Sequence, residues 1–404
     1  MPSSFGWLDT DDEQRRKMIA VVELFKDEGT VDELGFGSIR DALADALFPG
    51  TSVLHTRARY LLMIPWLLED TGRRAVPVEA RPELLRTLEK RLIHSLLSGG
   101  ETDGVIGQQA RDKLKRMPSA AYWAALGTFG LRTVPGATIE GHLRLDAGRR
   151  QAGAQAEVPD DPGARGGAAR GLLHPDLPPA PADLLQAATL SLTEQERDFL
   201  STRIRMSTKG SLFAWLLGHG STGDAQEVWT HPAVSSFPED LAEVVDTGRR
   251  FASAIHGAPL LYNRLLAEKR DSESLVERYD DQLSVWAEEL AASRPFAEGW
   301  TDRDLWGVLE RRGRTPRTPT VLFTTAWLRA VQEHGPECVT RDEVRRLVRD
   351  RELALKGGRA RLVNASALEA WRGASGLVRL DYRWRVARRL IDDVCPLAST
   401  AQAA

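Results

Sequence analysis

The chain has 404 residues, 42% of them hydrophobic and 27% charged, with a formal net charge of −3. That length fits two or three domains with sizeable cores. The near-neutral balance excludes a polyelectrolyte binder, so any basic surface has to be local.

In chain order, the opening MPSSFGWLDTDDEQRRK lacks the positive-then-apolar order of a signal peptide. Residues 11–29 carry Met18, Val21, Val22 and Phe25 at helical spacing behind an acidic turn, and Gly29 stops the pattern. GSIRDALADALFPG gives a helix with Ser38 as N-cap, a stripe of Ile39, Ala42, Leu43, Ala46 and Leu47, and Pro49-Gly50 as its stop. SVLHTRARYLLMIPWLLED reads as an apolar helix kinked at Pro65. Its apolar run, Tyr60–Leu68, is far short of the roughly 20 residues that span a membrane, so the expectation is a cytoplasmic protein without membrane contact. RPELLRTLEKRLIHSLLSGG starts with Pro82 near N1 and ends at Gly99-Gly100. SAAYWAALGTFGLR follows, with small residues that let helices approach closely. Together these predict an α-helical domain over residues 1–145.

Residues 146–182 differ in kind. They are rich in Gly, Ala, Pro and Arg with few bulky apolar groups, which predicts a flexible linker or loop. Within it, LLHPDL can dock on a partner or on the protein itself. Helices resume in a central domain over 183–335. Thr193 and Glu196 form a capping box, residues 240–270 carry a long amphipathic pattern broken near Gly257–Pro259, and Leu275, Tyr279, Leu283, Trp286 and Leu290 share one helical face. TDRDLWGVLERRG and TVLFTTAWLRAVQEHG add two more helices. A basic unit at 336–397 opens with a second capping box, Thr340 and Glu343, and turns at Gly357-Gly358. RARLVN and GLVRLDYRW then read as short strands around the helices ASALEAWRG and WRVARRLIDDV, an alternation compatible with a winged helix. Residues 398–404 are expected as a disordered tail. The predicted fold class is mainly α, a multi-helix chain of two to three domains with a small α+β, winged-helix-like C-terminal unit.

Motifs that carry chemistry are scarce. No phosphate-binding Gly loop, nucleophile elbow, His-Glu-x-x-His or Cys-x-x-Cys occurs, and no cofactor is expected. Cys338 and Cys395 give no disulfide framework and suit a reducing compartment. The eight His are scattered and none pairs at helical metal spacing. The acidic run Asp9–Glu13 fits either a cation or the start of a helix, whose dipole favours carboxylates. Arg250 and His256 have the Arg-x5-His spacing of some helical RNases, but 46 of the 54 basic residues are Arg, and so Arg-rich a chain produces that spacing by chance. Otherwise His256 simply sits near a helix C-terminus. Glu352 and Lys356 are four apart, the wrong spacing for a nuclease core.

Two basic features remain. Arg57 and Arg59, beside Thr56 and Tyr60, suit a phosphate and a base, or else ion pairs with Asp41, Asp45 or Glu69. From Arg341 to Asp393 the chain holds 14 basic and 8 acidic residues, +6 against −9 for the remainder. Arg359 and Arg361 alternate on one expected strand, and Arg385, Arg388 and Arg389 ride one side of the last helix. A guanidinium binds phosphate bidentately, so this segment can grip nucleic acid. An acidic protein partner or a merely solvated face accounts for it as well. Trp371 and Trp384 are expected in the core.

The runs FGWLDTDDEQRRKM, DELGFGSIRDALADALFPGTSVLHTRARYLLMIPW, HGAPLLYNRLLAE and RARLVNASALEAWRGASGLVRLDYRW together resemble an uncharacterised bacterial family, a domain of unknown function numbered sixty-three sixty-one. The likeness spans nearly the whole chain, with 146–182 as an insertion peculiar to this sequence. It implies helicase or nuclease genes as neighbours in bacterial defence islands, and it implies no chemistry. The functional expectation is a non-catalytic accessory or scaffold protein of a nucleic-acid-processing system, in anti-phage defence, meeting a protein partner and/or nucleic acid through its C-terminal basic segment. The alternative is a helical RNase-like or nuclease enzyme using Arg250 and His256.

Overall fold

The structure is a computed structural model that describes residues 32–156, 171–220 and 223–396. The acidic run Asp9–Glu13, the expected helix at 11–29 and the tail at 398–404 lie outside those residues. Among the described residues the chain is mainly helical and forms no strand. One isolated antiparallel bridge pairs Arg132 with Leu173. The chain divides into two compact units, one from residues 1–43 and 243–382, the other from 44–242 and 383–404. Helix α1 (Gly37–Leu47) contributes to both.

The second unit is built around α2 (Tyr60–Arg73). Every residue from Tyr60 to Leu68 is buried, Pro65 included, and a helix apolar all round belongs in the middle of a core. Its few polar groups find partners: Thr71 donates to the Leu67 carbonyl at 2.7 Å and the Trp66 indole to the Pro178 carbonyl at 2.7 Å. Against it pack α3 (Arg81–Ser98), α4 (Pro118–Thr128) and α5 (Ile139–Ala156), while α6 (Glu194–Ser207) and α7 (Leu212–His219) pack on each other and on the last helix of the chain. Pro opens both α3 and α4, where its missing N–H costs nothing. The Thr193–Glu196 capping box forms as predicted at the start of α6.

The expectation of a flexible linker at 146–182 is corrected over the described parts. Helix α5 continues to Ala156, with Ala147 buried and Asp146 paired to Arg81 and Arg150. Leu172 is buried, Thr133 N–H donates to the Leu172 carbonyl and His174 N–H to the Leu131 carbonyl, both at 2.9 Å. The segment lacks bulky side chains, but its backbone pairs with residues 131–133 and caps the Trp66 indole. LLHPDL therefore docks on the protein itself.

The first unit holds α8 (Glu239–Ile255), most of which belongs to it, then α9 (Gly257–Lys269), α10 (Glu273–Ser293), α11 (Asp302–Arg311), α12 (Thr318–His334), α13 (Asp342–Lys356) and α14 (Ala365–Glu369). On α10 the predicted stripe is buried at Tyr279, Leu283, Trp286 and Leu290. Gly257 is required where α9 meets α10: a Cβ there would stand 2.6 Å from the Trp286 ring. The indoles of Trp286 and Trp327 donate to the carbonyls of Ser253 and Ala254, each at 2.9 Å. The last helix, α15 (Trp384–Val394), belongs to the second unit and buries Trp384, Ala387, Leu390, Ile391 and Val394. Trp371 and Trp384 are both in the core, as expected.

Three local expectations are overturned. Helix α1 begins at Gly37 rather than after Ser38, because the Asp32 carboxylate takes the N–H groups of Gly35, Phe36 and Gly37. The Thr340–Glu343 box does not form: α13 starts at Asp342 and the Thr340 hydroxyl donates to the Glu337 carbonyl at 2.8 Å. Neither 359–364 nor 376–384 is a strand, so the winged-helix alternation is absent. The N–H groups of Arg361 and Leu362, which a sheet would need, go to the buried Glu352 carboxylate at 2.8 and 3.0 Å. Those of Ala360, Val363 and Asn364 close tight turns.

Candidate functional site

Glu352 anchors a buried group of ionisable side chains in the first unit. It lies on α13 with no exposed surface, and besides the two N–H groups it accepts from the Tyr262 hydroxyl at 2.6 Å and from Lys356 at 3.2 Å. A second buried carboxylate, Glu33, accepts from Lys356, from Arg361 at 2.7 Å and from the Ser375 hydroxyl. Asn263 bonds the Ser375 carbonyl at 2.7 Å. Burial works to raise the Glu33 carboxyl, but the hydrogen bonds from Lys356 and Ser375 and the charges of Lys356 and Arg361 outweigh it, and it sits below its ordinary value. Burial, then the bond to Glu352, pushes the Tyr262 phenol up. Every charge here has an opposite charge in contact, so the cluster ties residues 33, 262–263, 352–362 and 375 into one piece. Apart from Glu352 and Lys356, one turn apart on α13, its members are too far apart in sequence for a spacing rule to join them.

Arg361, expected at an open surface, is thus half-buried and spent on Glu33 and Ser375. Arg359 is exposed and makes no hydrogen bond or ion pair among the described residues. Arg250 is buried and gives four hydrogen bonds, to Asp246 at 2.5 Å, the carbonyls of Pro295 and Ala297, and Glu298. His256, half-buried at the α8–α9 junction, is held neutral by burial, its pKa lowered to about 4. No hydrogen bond joins it to Arg250.

The remaining nominated arginines lie in the second unit. Arg57 and the Ala58 N–H hold Asp393 at 2.7–2.9 Å. Arg59 is buried, ion-paired to Glu196 at 2.8 Å and bonded to the Thr189 carbonyl. Both make ion pairs, though not with Asp41, Asp45 or Glu69. On α15, Arg389 pairs with Asp103, Arg388 donates to the Ala225 carbonyl at 2.8 Å, and Arg385 is exposed. Arg359 and Arg361 fall in the other unit from Arg385, Arg388 and Arg389.

Sequence reasoning missed a groove of 650 Å³ in the second unit, between α6, α7 and the first turn of α8. Trp215 and His219 stack inside it, ring centroids 3.8 Å apart and planes 14° from parallel. The His219 Nδ1–H bonds the Trp215 carbonyl at 2.7 Å, which fixes the ring on the indole. Arg205 and Lys209 line the groove, exposed, and neither makes an ion pair or hydrogen bond among the described residues. Arg205 lies close over α7, where a Cβ on Gly218 would be 3.5 Å from its Nη2. Part of the signal was present in sequence: Trp215 and His219 are spaced i, i+4, which puts them on one face of α7, whereas Lys209 lies just past the end of α6.

The sequence profile of a family of unknown function, DUF6361, matches residues 2–398, almost the full length. The chain belongs to DUF6361. The motifs of this family member fall at its structural joints: HGAPLLYNRLLAE holds Gly257 and Tyr262, and the RARLVN run holds Arg361 and Leu362 against Glu352. No functionally curated protein and no solved structure matches it.

Proposed function

We propose that this DUF6361 protein is a non-catalytic accessory or scaffold subunit of a nucleic-acid-processing system, in bacterial anti-phage defence, which contributes binding rather than bond breaking. One observation carries the reading: the charges of the Glu33–Glu352 cluster neutralise each other, while Arg205 and Lys209 stand exposed and unpaired beside a stacked aromatic pair. Unpaired cations beside aromatic faces suit a backbone and its bases. The nuclease alternative loses support because Arg250 is consumed by Asp246, Glu298 and two carbonyls. The test is to incubate the purified full chain with labelled single- and double-stranded DNA and RNA, following anisotropy and strand integrity together. Binding that weakens with salt and leaves the strands intact supports the proposal. Strand cleavage that is lost in the folded Arg250→Ala, His256→Ala double variant would make the protein an enzyme.

A further inference from the structure

We infer that the groove between α6, α7 and α8 holds one nucleotide unit, its base against the Trp215–His219 stack and its phosphate on Arg205 and Lys209. This deepens the accessory reading above and rests on it. The volume, 650 Å³, falls in the range of small-ligand sites, and the lining divides as such a ligand does. Trp215, Pro238, Leu241 and the exposed Met206 supply the apolar part. Arg205, in the last turn of α6, and Lys209, just past its end, supply positive charge that makes no ion pair among the described residues. Gly210, Ser211 and Ala214 place the amino end of α7 in the same wall, and a helix amino end favours an anion. The paired rings fit a flat ring better than an alkyl chain, because stacking rewards a planar π-face. Asp240 also lines the groove, and the two cations outnumber it there. The same chemistry is presented by a free mononucleotide and by one residue of a single strand.

The experiment uses the full chain, a fluorescein-labelled oligodeoxyadenylate read by anisotropy, and AMP read by calorimetry and by competition. The variants are Arg205→Glu with Lys209→Glu, and His219→Ala, all at exposed positions, with circular dichroism to check the fold. The charge reversal should lower strand affinity at least about tenfold and flatten the log-affinity against log-salt slope by about 0.7, the contribution of one phosphate neutralised on a single strand. His219→Ala should cost at least about fivefold, as loss of a stacking face does. Competition by AMP identifies a free mononucleotide as the ligand, and strand binding that AMP does not displace identifies a strand segment. Wild-type strand affinity in both variants overturns the groove and leaves the nucleic-acid reading standing. Groove-dependent AMP binding without strand binding overturns that reading and leaves the groove standing. Failure of the wild type to bind either probe overturns both.

Discussion

Removing Glu352 is the sharpest perturbation of the first unit. Its two oxygens accept from the Tyr262 hydroxyl, Lys356, and the N–H groups of Arg361 and Leu362, all from a side chain with no solvent exposure. In Glu352→Ala, Lys356 keeps Glu33, but the phenol and both N–H groups lose their acceptor inside the protein. A buried donor left unsatisfied costs about 1–3 kcal/mol, and breaking a buried ion pair about 3–5 kcal/mol. Partial relaxation and water entry overlap these terms, so the expected loss is about 4 kcal/mol. For a unit of this size each kcal/mol lowers the melting temperature by about 2–4 °C, hence a fall of roughly 8–16 °C in calorimetry. Glu352→Gln keeps one carbonyl acceptor but turns an amide donor toward groups that are themselves donors, and its loss should be smaller. Urea denaturation of the three proteins measures the differences directly. A loss below about 1 kcal/mol in Glu352→Ala would refute the claim that this carboxylate ties α13 to the segment after it.

Arg359→Glu should leave stability within about 0.5 kcal/mol, as exposed substitutions do, whereas Arg361→Glu brings a third carboxylate against Glu33 and should cost about 3 kcal/mol or more; equal melting temperatures would contradict the difference in burial. Leu172→Ala should destabilise by about 2–3 kcal/mol, because that side chain is 4% exposed, and deletion of 171–178 should cost more by also stripping Trp66 and residues 131–133 of partners. A neutral Leu172→Ala in chemical denaturation would return this segment to the status of a tether. Glu89, 2% exposed, has its pKa raised from 4.5 to about 7 by burial, against the bond from Ser119 N–H. With a folded value above the unfolded one, its contribution is full below pH 4.5 and is lost as pH rises through 7, a difference of about 3 kcal/mol. Glu89→Gln should therefore gain on the wild type in stability between pH 5 and pH 8.5, and a gap in melting temperature that does not change with pH would show that Glu89 does not titrate in that window.

Much of the helical framework was legible because period and punctuation are local. The stripe Tyr279–Leu290, the break before Gly257, the Thr193–Glu196 box and the Pro and Gly ends of α3 all depend on residues within one or two turns of each other. Local signals misled where a distant group competed for the same backbone. RARLVN has strand-like composition, yet the Glu352 carboxylate takes two of its N–H groups. Residues 172–178 look too small to order themselves, yet 131–133 and Trp66 hold them. The sequence by itself therefore determined a mainly helical chain, the positions of most of its helices and its membership of DUF6361. Which arginines are available was a tertiary decision. Arg57, Arg59 and Arg361 have no partner carboxylate within their own helical turn, as Arg205 has none, but folding brings a distant carboxylate to each of the first three and none to Arg205. A charge already paired in a half-buried site has exchanged its hydration for that partner, and only a charge still facing water is open to a ligand.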